Sequence, residues 1–541
     1  MSTKFDVFSN KFANDIYLQK YSLNGQEIWS DTAKRVVESV CGQLLNPEDK
    51  EIIYKIILDR KFIPGGRYLY SAGRPFHQVN NCFLFRAEDS REGWADAMYK
   101  ATTALMTGGG IGFDYSSLRA EGALIKRTGG VSTGPIALMN AINELGRNIM
   151  QGGQRRSAIY ASLNWKHSDV FKFLDLKNHS EDLKTLKQKD FNFALPMELT
   201  NISVNYDTEF FIAIEDEKHE LHEHAKKVYM LNCKQAFSTA EPGFSFNFRK
   251  DNETLRNACT EVTSEDDSDK CNLGTVWINR VKDIKELRKV VKYATKFLIC
   301  GGIYSDVPND KIKEVGFKNN RIGLGLGGIH EWLMVREMKY EVTPELHKWL
   351  SVYEEESNSE AFISARLLNV AVPKGVRAIA PNGTIGIIAE TTTGIEPLFC
   401  KAYKRRYFRD NKWMFQYVVD GSVKRLLQQG VKIEDIQDSY DLDFKQRVKF
   451  QADVQNYVDM AISSTCNMPS WGSEKNNEKS LENNAEILLK YAKRLRGFTV
   501  YPDGCRGGQP LTQVSLQEAL DKEGVVFEEQ MTECVGGLCG I

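Results

Sequence analysis

The sequence predicts an α/β protein, and three observations carry that prediction. From residue 190 to 400, short apolar runs alternate with charged segments of helical pattern. Over 82–170 a similar alternation is punctuated by glycine clusters. Hydrophobic residues make up 42% and charged residues 26% of the 541, which is enough apolar material for a substantial core. Length alone suggests roughly three or four domains, a rule that large α/β barrels break.

Residues 1–75 form the expected helical N-terminal region. Ile28 to Leu58 sets apolar and charged positions at helical spacing, and Pro64-Gly65-Gly66 ends the pattern. The breaks that follow are Gly108-Gly109-Gly110-Ile111-Gly112, Gly129-Gly130 and Gly152-Gly153. Phe210-Phe211-Ile212-Ala213-Ile214 and Gly386-Ile387-Ile388-Ala389 are strand-like, whereas 410–497 looks helical with a polar break at Ser473 to Asn477. After Gly508 the chain turns acidic and then glycine-rich, so 516–541 reads as a mobile tail behind a main domain of 76–515.

Composition excludes several classes. A net charge of −1 gives no global pull toward nucleic acid or anionic membrane. The start, Met1-Ser2-Thr3-Lys4-Phe5-Asp6, lacks an apolar h-region, and no 18-residue apolar run occurs, so a soluble, cytoplasmic protein is expected. Eleven cysteines are scattered and odd in number, which fits a few working thiols in a reducing compartment better than a disulfide framework.

Asn257-x-Cys259-x-Glu261 is the densest chemical pattern. In an extended segment these alternate residues share one face, putting an amide, a thiol and a carboxylate in one pocket. The amide can bind a substrate hydroxyl, the carboxylate can take its proton, and the thiol can react. The plainer alternative is a buried structural cysteine beside a surface glutamate. Cys82 in Asn80-Asn81-Cys82-Phe83 and Cys271 in Cys271-Asn272-Leu273-Gly274 add further thiols. Cys534 and Cys539 lie among glycines at the tail, open to readings as exchange thiols, incidental residues or half a zinc site. Pro381-Asn382-Gly383-Thr384-Ile385 has the hydroxyl and glycine-permitted N–H donors of a phosphate cradle, or of a plain turn. Gly323-x-Gly325-x-x-Gly328 fits a dinucleotide fingerprint literally, but no βαβ unit with a ribose-binding acid follows, so a close strand–helix turn is expected.

Taken together these segments resemble the catalytic chain of a ribonucleotide reductase. GGGIGFDYSSLR (Gly108–Arg119), TGGVSTGP (Thr128–Pro135), QGGQRR (Gln151–Arg156), APNGTI (Ala380–Ile385), TGIEP (Thr393–Pro397) and TVYPDG (Thr499–Gly504) stand in reductase order. The resemblance spans roughly residues 60–515 and the tail. It implies a ten-stranded α/β barrel of two antiparallel, five-stranded parallel halves, with Cys259 on an inner loop. It further implies a thiyl radical at Cys259, Glu261 as the base at the ribose 3′-hydroxyl, and Asn257 bound to the sugar hydroxyls. Cys82 and Cys271 would supply two electrons and end as a disulfide, re-reduced by Cys534 and Cys539 with thioredoxin or a glutaredoxin-like protein.

By the same resemblance the phosphates of a ribonucleoside di- or triphosphate lie on Pro381 to Ile385, with Gly66, Asn81 and Gly110 lining the pocket. A deoxynucleotide effector lies at Asp89, Ser90 and Arg119, and Gln154 and Arg155 sit on a mobile loop linking effector to substrate choice. Little chain precedes the barrel, so no N-terminal overall-activity module and no dATP inhibition through one are expected. Radical-donor subunits act through two adjacent tyrosines near the C-terminal end of the barrel; here Val500 precedes Tyr501. The segment is similar instead to adenosylcobalamin-dependent (class II) reductases, which implies that cofactor, a homodimer and no metal site. Two alternatives stay open: a catalytic subunit served by a separate metallo radical donor, and an inactive dNTP-binding homologue.

Overall fold

The structure is a computed structural model and describes residues 7–9, 11–126, 128–151, 155–190, 193–409, 412–505, 511–522 and 525–528. One sheet of ten strands organises it: β1 Phe62–Pro64, β2 Cys82–Arg86, β3 Gly110–Asp114, β4 Ile159–Asn164, β5 Thr200–Tyr206, β6 Gly243–Phe246, β7 Asp269–Trp277, β8 Ile322–Gly327, β9 Thr465–Met468 and β10 Gly497–Pro502. The hydrogen-bonded order is β1-β7-β2-β3-β4-β5-β6-β10-β9, with β8 also paired to β7. Strands β2 to β6 run parallel. The pairs β7–β8 and β9–β10 are parallel too, and antiparallel joints fall at β1–β7, β2–β7 and β6–β10. These strands are buried along most of their length, as parallel strands covered on both faces are.

Beyond the strands, Ile379 bridges Ile462 in parallel and Leu324 bridges Arg377. The backbone bonds Leu324 N to Val376 O (2.9 Å) and Ser463 N to Ile379 O (2.9 Å) tie residues 376–379 to β8 on one side and to the run into β9 on the other. The glycines of the apparent dinucleotide fingerprint serve this packing. A Cβ at Gly325 would lie 2.9 Å from the Ala378 carbonyl, and Gly328, at φ 71°, turns β8 into the short helix Ile329–Val335.

Helices cover the sheet on the outside. Trp29–Cys41 and Pro47–Leu58 occupy the N-terminal region, the second opened by Pro47 and by Asn46, whose side chain accepts from Asp49 N. With Ile284–Tyr304 they pack one large apolar core against β1, β7 and β8, and a second core lies against β2 to β6 and β10. A small third cluster, including Cys82, Leu255, Val262, Cys271 and Ala378, lies inside.

Three local expectations fail. Phe210 to Ile214 belongs to the helix Thr208–Glu215, because the Asp207 carboxylate accepts from Phe210 N (3.0 Å) and caps it. Gly386 to Ala389 lies in the helix Gly383–Ala389. Neither run is long enough for its period to separate helix from strand. Within 410–497, residues Lys412–Val419 are a strand paired with Ala402–Arg409, where the alternation of Phe415, Tyr417 and Val419 favours β structure. That hairpin forms a four-stranded sheet with 511–513 and 526–528, and the helix Leu516–Asp521 packs beside it; residues 516–522 and 525–528 are the described part of the expected tail.

Inside the large sheet, Leu255–Arg256 pairs with Thr263–Ser264 as a small hairpin. Its first strand rests on β3 at Gly112, where a Cβ would overlap the Arg256 carbonyl. Gly112→Ala should therefore displace the hairpin and cost about 1–3 kcal/mol, read by denaturant unfolding against wild type.

Candidate active site

The tip of this hairpin, residues 257–262, carries the pattern found in the sequence. It is not extended. Thr260 adopts φ 70°, and its N–H donates to the Asn257 carbonyl (3.0 Å). The turn, rather than strand alternation, brings Asn257, Cys259 and Glu261 together. Polar groups at the tip find specific partners: Asn257 Oδ1 accepts from Val262 N (2.9 Å), Asn201 Nδ2 donates to the Ala258 carbonyl (3.2 Å), and Ala461 N donates to the Glu261 carbonyl (2.9 Å). Arg256, fully buried behind the tip, donates to Asn247 Oδ1 and to the Glu253 carbonyl. Beside it, Asp269 accepts from Arg321 Nε (2.7 Å), Ser264 Oγ (2.6 Å) and Asn319 Nδ2 (2.8 Å), fastening the hairpin base to β7.

Cys82 and Cys271 stand directly opposite each other across the β2–β7 pair. Such partners have Cα atoms about 4.5–5.5 Å apart, inside the range a disulfide spans. Both thiols are buried and reduced. Asn257 Nδ2 lies 2.9 Å from Cys82 Sγ, so the hairpin tip touches the cysteine pair directly. Cys259 differs from both. It keeps accessible surface, yet enough protein surrounds it for burial, with the charge of Glu261, to push its thiol up. Accessible surface within so much surrounding protein marks a recess at the hairpin tip.

Burial also pushes the Cys82 and Cys271 thiols well up, helped at Cys82 by Glu261 and at Cys271 by Asp269. Glu261 itself, 1% exposed, is raised by burial to about 7, against a lowering contribution from Asn257, and its Oε2 has no hydrogen-bond partner among the described residues. The site thus holds three protonated thiols beside a carboxyl able to give or take a proton near neutrality.

The residues expected to line a substrate pocket are spread along β7 from Cys271 to Thr275. Gly110 N donates to the Asn81 carbonyl (2.9 Å), Gly65 N to the Leu273 carbonyl (2.8 Å), and a Cβ at Gly65 would lie 2.8 Å from Asn81 Oδ1. Gly66 opens the helix Gly66–Ser71. Asn382 Nδ2 donates to Thr275 Oγ1 (2.9 Å), which brings Pro381, Gly383, Thr384 and Ile385 beside β7. Cys271, Leu273 and Thr275 share one face of β7, so Asn382 stands about 13 Å along the strand from the thiol. A Cβ at Gly383 would meet nothing within 4 Å, so this turn opens onto free space.

Elsewhere, Arg119 Nε donates to both Asp89 oxygens (2.8 and 3.0 Å), a half-exposed pair. Ser90 Oγ accepts from Gly93 N (2.8 Å) and caps the helix Arg91–Met106. Arg155 belongs to a two-residue strand paired with Met150–Gln151, and Gln151 Nε2 donates to the Gly108 carbonyl (2.9 Å), just before β3. Gln154, Cys534 and Cys539 lie outside the described residues. Val500 is buried on β10 opposite Cys466, with Tyr501 half-buried after it. Among the described residues no group of three His, Cys, Asp or Glu could hold a metal ion, and no helix is long and apolar enough to cross a membrane.

Sequence reasoning missed Gly112, Arg256 and Asn201. Gly112 sits in a glycine cluster already noted; Arg256 and Asn201 carry no local signal, because their partners are remote in sequence.

An inserted hairpin bearing a thiol and a carboxyl, facing a cysteine pair across two adjacent strands, defines a thiol-based radical or redox enzyme. The comparisons make that class specific: the sequence matches the family described as ribonucleotide reductase, barrel domain, over residues 80–222, 208–355 and 374–501, and the chain belongs to this family. It is 26% identical to a vitamin B12-dependent ribonucleoside-diphosphate reductase of Thermoplasma acidophilum, across 86% of this chain and 67% of that one. A protein of the same name from Mycobacterium tuberculosis is 24% identical, across 90% and 76%. The ribonucleoside-diphosphate reductase large chain of Cryptosporidium parvum is 26% identical across 62% and 47%.

Glu261 gives a pH signature. Its folded-state value near 7 exceeds the ordinary 4.5, so the folded protein holds a proton that the unfolded chain releases. Stability contributed by this group is full below about 4.5, falls as pH rises to about 7, and is flat above. Glu261→Gln should flatten that decline and be the more stable protein at about pH 8, by roughly 1–3 kcal/mol, measured by urea unfolding across pH.

Proposed function

We propose that this protein reduces ribonucleoside diphosphates to 2′-deoxyribonucleotides by thiyl-radical chemistry, for DNA precursor synthesis, using adenosylcobalamin. One observation carries the reading: three thiols, an amide and a carboxyl converge on one interior recess, with every thiol held protonated. A protonated thiol is a poor nucleophile but a good hydrogen-atom donor, so the arrangement suits hydrogen transfer rather than thiolate attack.

In this reading the contacts of residues 376–379 with β8 and with the run into β9 close the sheet into a ten-stranded barrel around the hairpin. The nucleotide lies with its phosphates at Pro381 to Ile385 and its ribose between Gly66, Asn81, Gly110 and the hairpin tip. Asn257 holds the sugar hydroxyls. The Cys259 radical takes the 3′-hydrogen, and Glu261 takes the 3′-hydroxyl proton. Cys82 and Cys271 give two electrons and two protons. The 2′-hydroxyl leaves as water, the thiols become a disulfide, Glu261 returns its proton to O3′, and Cys259 returns the hydrogen to C3′. Placement within the recess does most of the work, and exclusion of bulk water protects the radical.

The residues present fit the cofactor. Cys259 alone of the three site cysteines keeps open surface, and its neighbour Thr260 lies near Gly497 of β10, where a Cβ would be 3.8 Å from Thr260 Oγ1. The side of the recess bordered by Cys259, Thr260 and Gly497 is the place for it. When bound, adenosylcobalamin supplies the one-electron chemistry that generates the radical. Val500, buried where a tyrosine dyad would need its first phenol, speaks against a separate radical-donor subunit.

Several parts extend this reading. Asp89, Ser90 and Arg119 form the deoxynucleotide effector site, and the loop with Gln154 and Arg155 reports to the substrate pocket through Gln151 and Gly108. Cys534 and Cys539 re-reduce the disulfide and accept electrons from thioredoxin or a glutaredoxin-like protein. The working unit is a cytoplasmic homodimer.

Purified protein with dithiothreitol, dNTP effectors and CDP should form dCDP only when adenosylcobalamin is present; cofactor-independent turnover would overturn the assignment. Cys259→Ser should abolish turnover and retain nucleotide binding. A single turnover without reductant should leave a Cys82–Cys271 disulfide, identified by peptide mass spectrometry.

A further inference from the structure

Behind β7, on the side away from the recess, a polar cleft of about 430 Å³ is lined by Lys270, by residues 302–310, and by Lys313 and Phe317. Lys270 lies at its inner wall and is 7% exposed. Its ammonium makes two long contacts, 3.4 Å to Asn80 Oδ1 and 3.4 Å to the Gly302 carbonyl, and no ion pair with the described residues, although it feels the charge of the preceding Asp269. Burying an ammonium without a counter-charge is costly. Asp269, next in sequence, has Arg321, Ser264 and Asn319 as partners, and Asp306 of the cleft wall has His77, through its backbone N–H (2.9 Å) and its ring (3.4 Å). Asp310 stands exposed at the rim, with Lys313 one turn on.

The site looks built rather than incidental. Gly316, in the middle of the helix Asp310–Asn319, weakens that helix, yet a Cβ there would run into the Lys270 stem. The glycine is the notch that lets the lysine reach the cleft. Ser305, whose Oγ accepts from Val79 N (2.9 Å) and Asn80 Nδ2 (2.8 Å), fixes the wall beside it. Ile303, Val307, Pro308 and Phe317 give the same cleft an apolar side.

We infer that this cleft binds a small organic anion, a carboxylate or a phosphate monoester, whose charged end pairs with Lys270 and whose body lies against the apolar wall. The next residue, Cys271, projects to the other face of the strand. A bound anion offsets the ammonium that favours a Cys271 thiolate, so occupancy makes this thiol harder to ionise.

Burial lowers the Lys270 ammonium to about 8, so amine acetylation at about pH 8, read by mass spectrometry, reports on it directly. Benzoate or phenyl phosphate at about 10 mM should slow labelling of Lys270 threefold or more and leave exposed Lys55 unchanged. Protection by benzoate alone marks a carboxylate site, and protection by phenyl phosphate alone a phosphate site. Unchanged Lys270 labelling with both probes overturns the inference. So does an equal rise in Tm with either probe in wild type and Lys270→Met. The binding test is independent of the reductase reading, since it needs neither cofactor nor nucleotide.

Discussion

The fit of one hairpin inside the large sheet is the constraint on which everything else depends. A loop taken away from water must find a partner for nearly every polar group it carries. Here the partners come from all around: Asn201 from β5, Ala461 from the run into β9, Asn247 behind β6, and Asp269 of β7 at the base. Gly112 lets the hairpin approach β3 closely enough to reach them. Glu261 Oε2 is left over, and it faces the chemistry.

That insertion sets the electrostatics. The same burial that satisfies the backbone strips water from the side chains at the tip, raising all three thiols and Glu261 together. Desolvation is the largest cause at each of them, so their shared protonated state is a property of the recess and not of any one neighbour. Cross-strand pairing then does what loop geometry could not: it puts Cys82 and Cys271 face to face on two rigid strands, at a spacing a disulfide accepts without backbone movement.

Much of the site was legible in the sequence because its chemistry sits in short local patterns. Asn257, Cys259 and Glu261 lie within five residues, and each flanking glycine cluster marks a place where backbone approaches backbone. The extended segment expected there is replaced by a turn, in which a left-handed residue at Thr260 brings the three residues together. Local reading was weakest for apolar runs of four or five residues. Phe210 to Ile214 has the composition of a strand, and a single capping bond from Asp207 makes it a helix. The partners of Arg256, Asn201 and Lys270 could not be read at all, because they lie on other elements.

The α/β class and the reductase resemblance follow from the sequence alone, because residue type and local spacing are one-dimensional properties. Only the tertiary structure decided that Cys82 opposes Cys271, that Cys259 keeps accessible surface where those two do not, that Gly112 and Gly316 are clearances for particular neighbours, and that Lys270 is buried with no ion pair among the described residues. Each of these depends on which surfaces exclude water from one another, and that follows from strand order and packing across hundreds of residues.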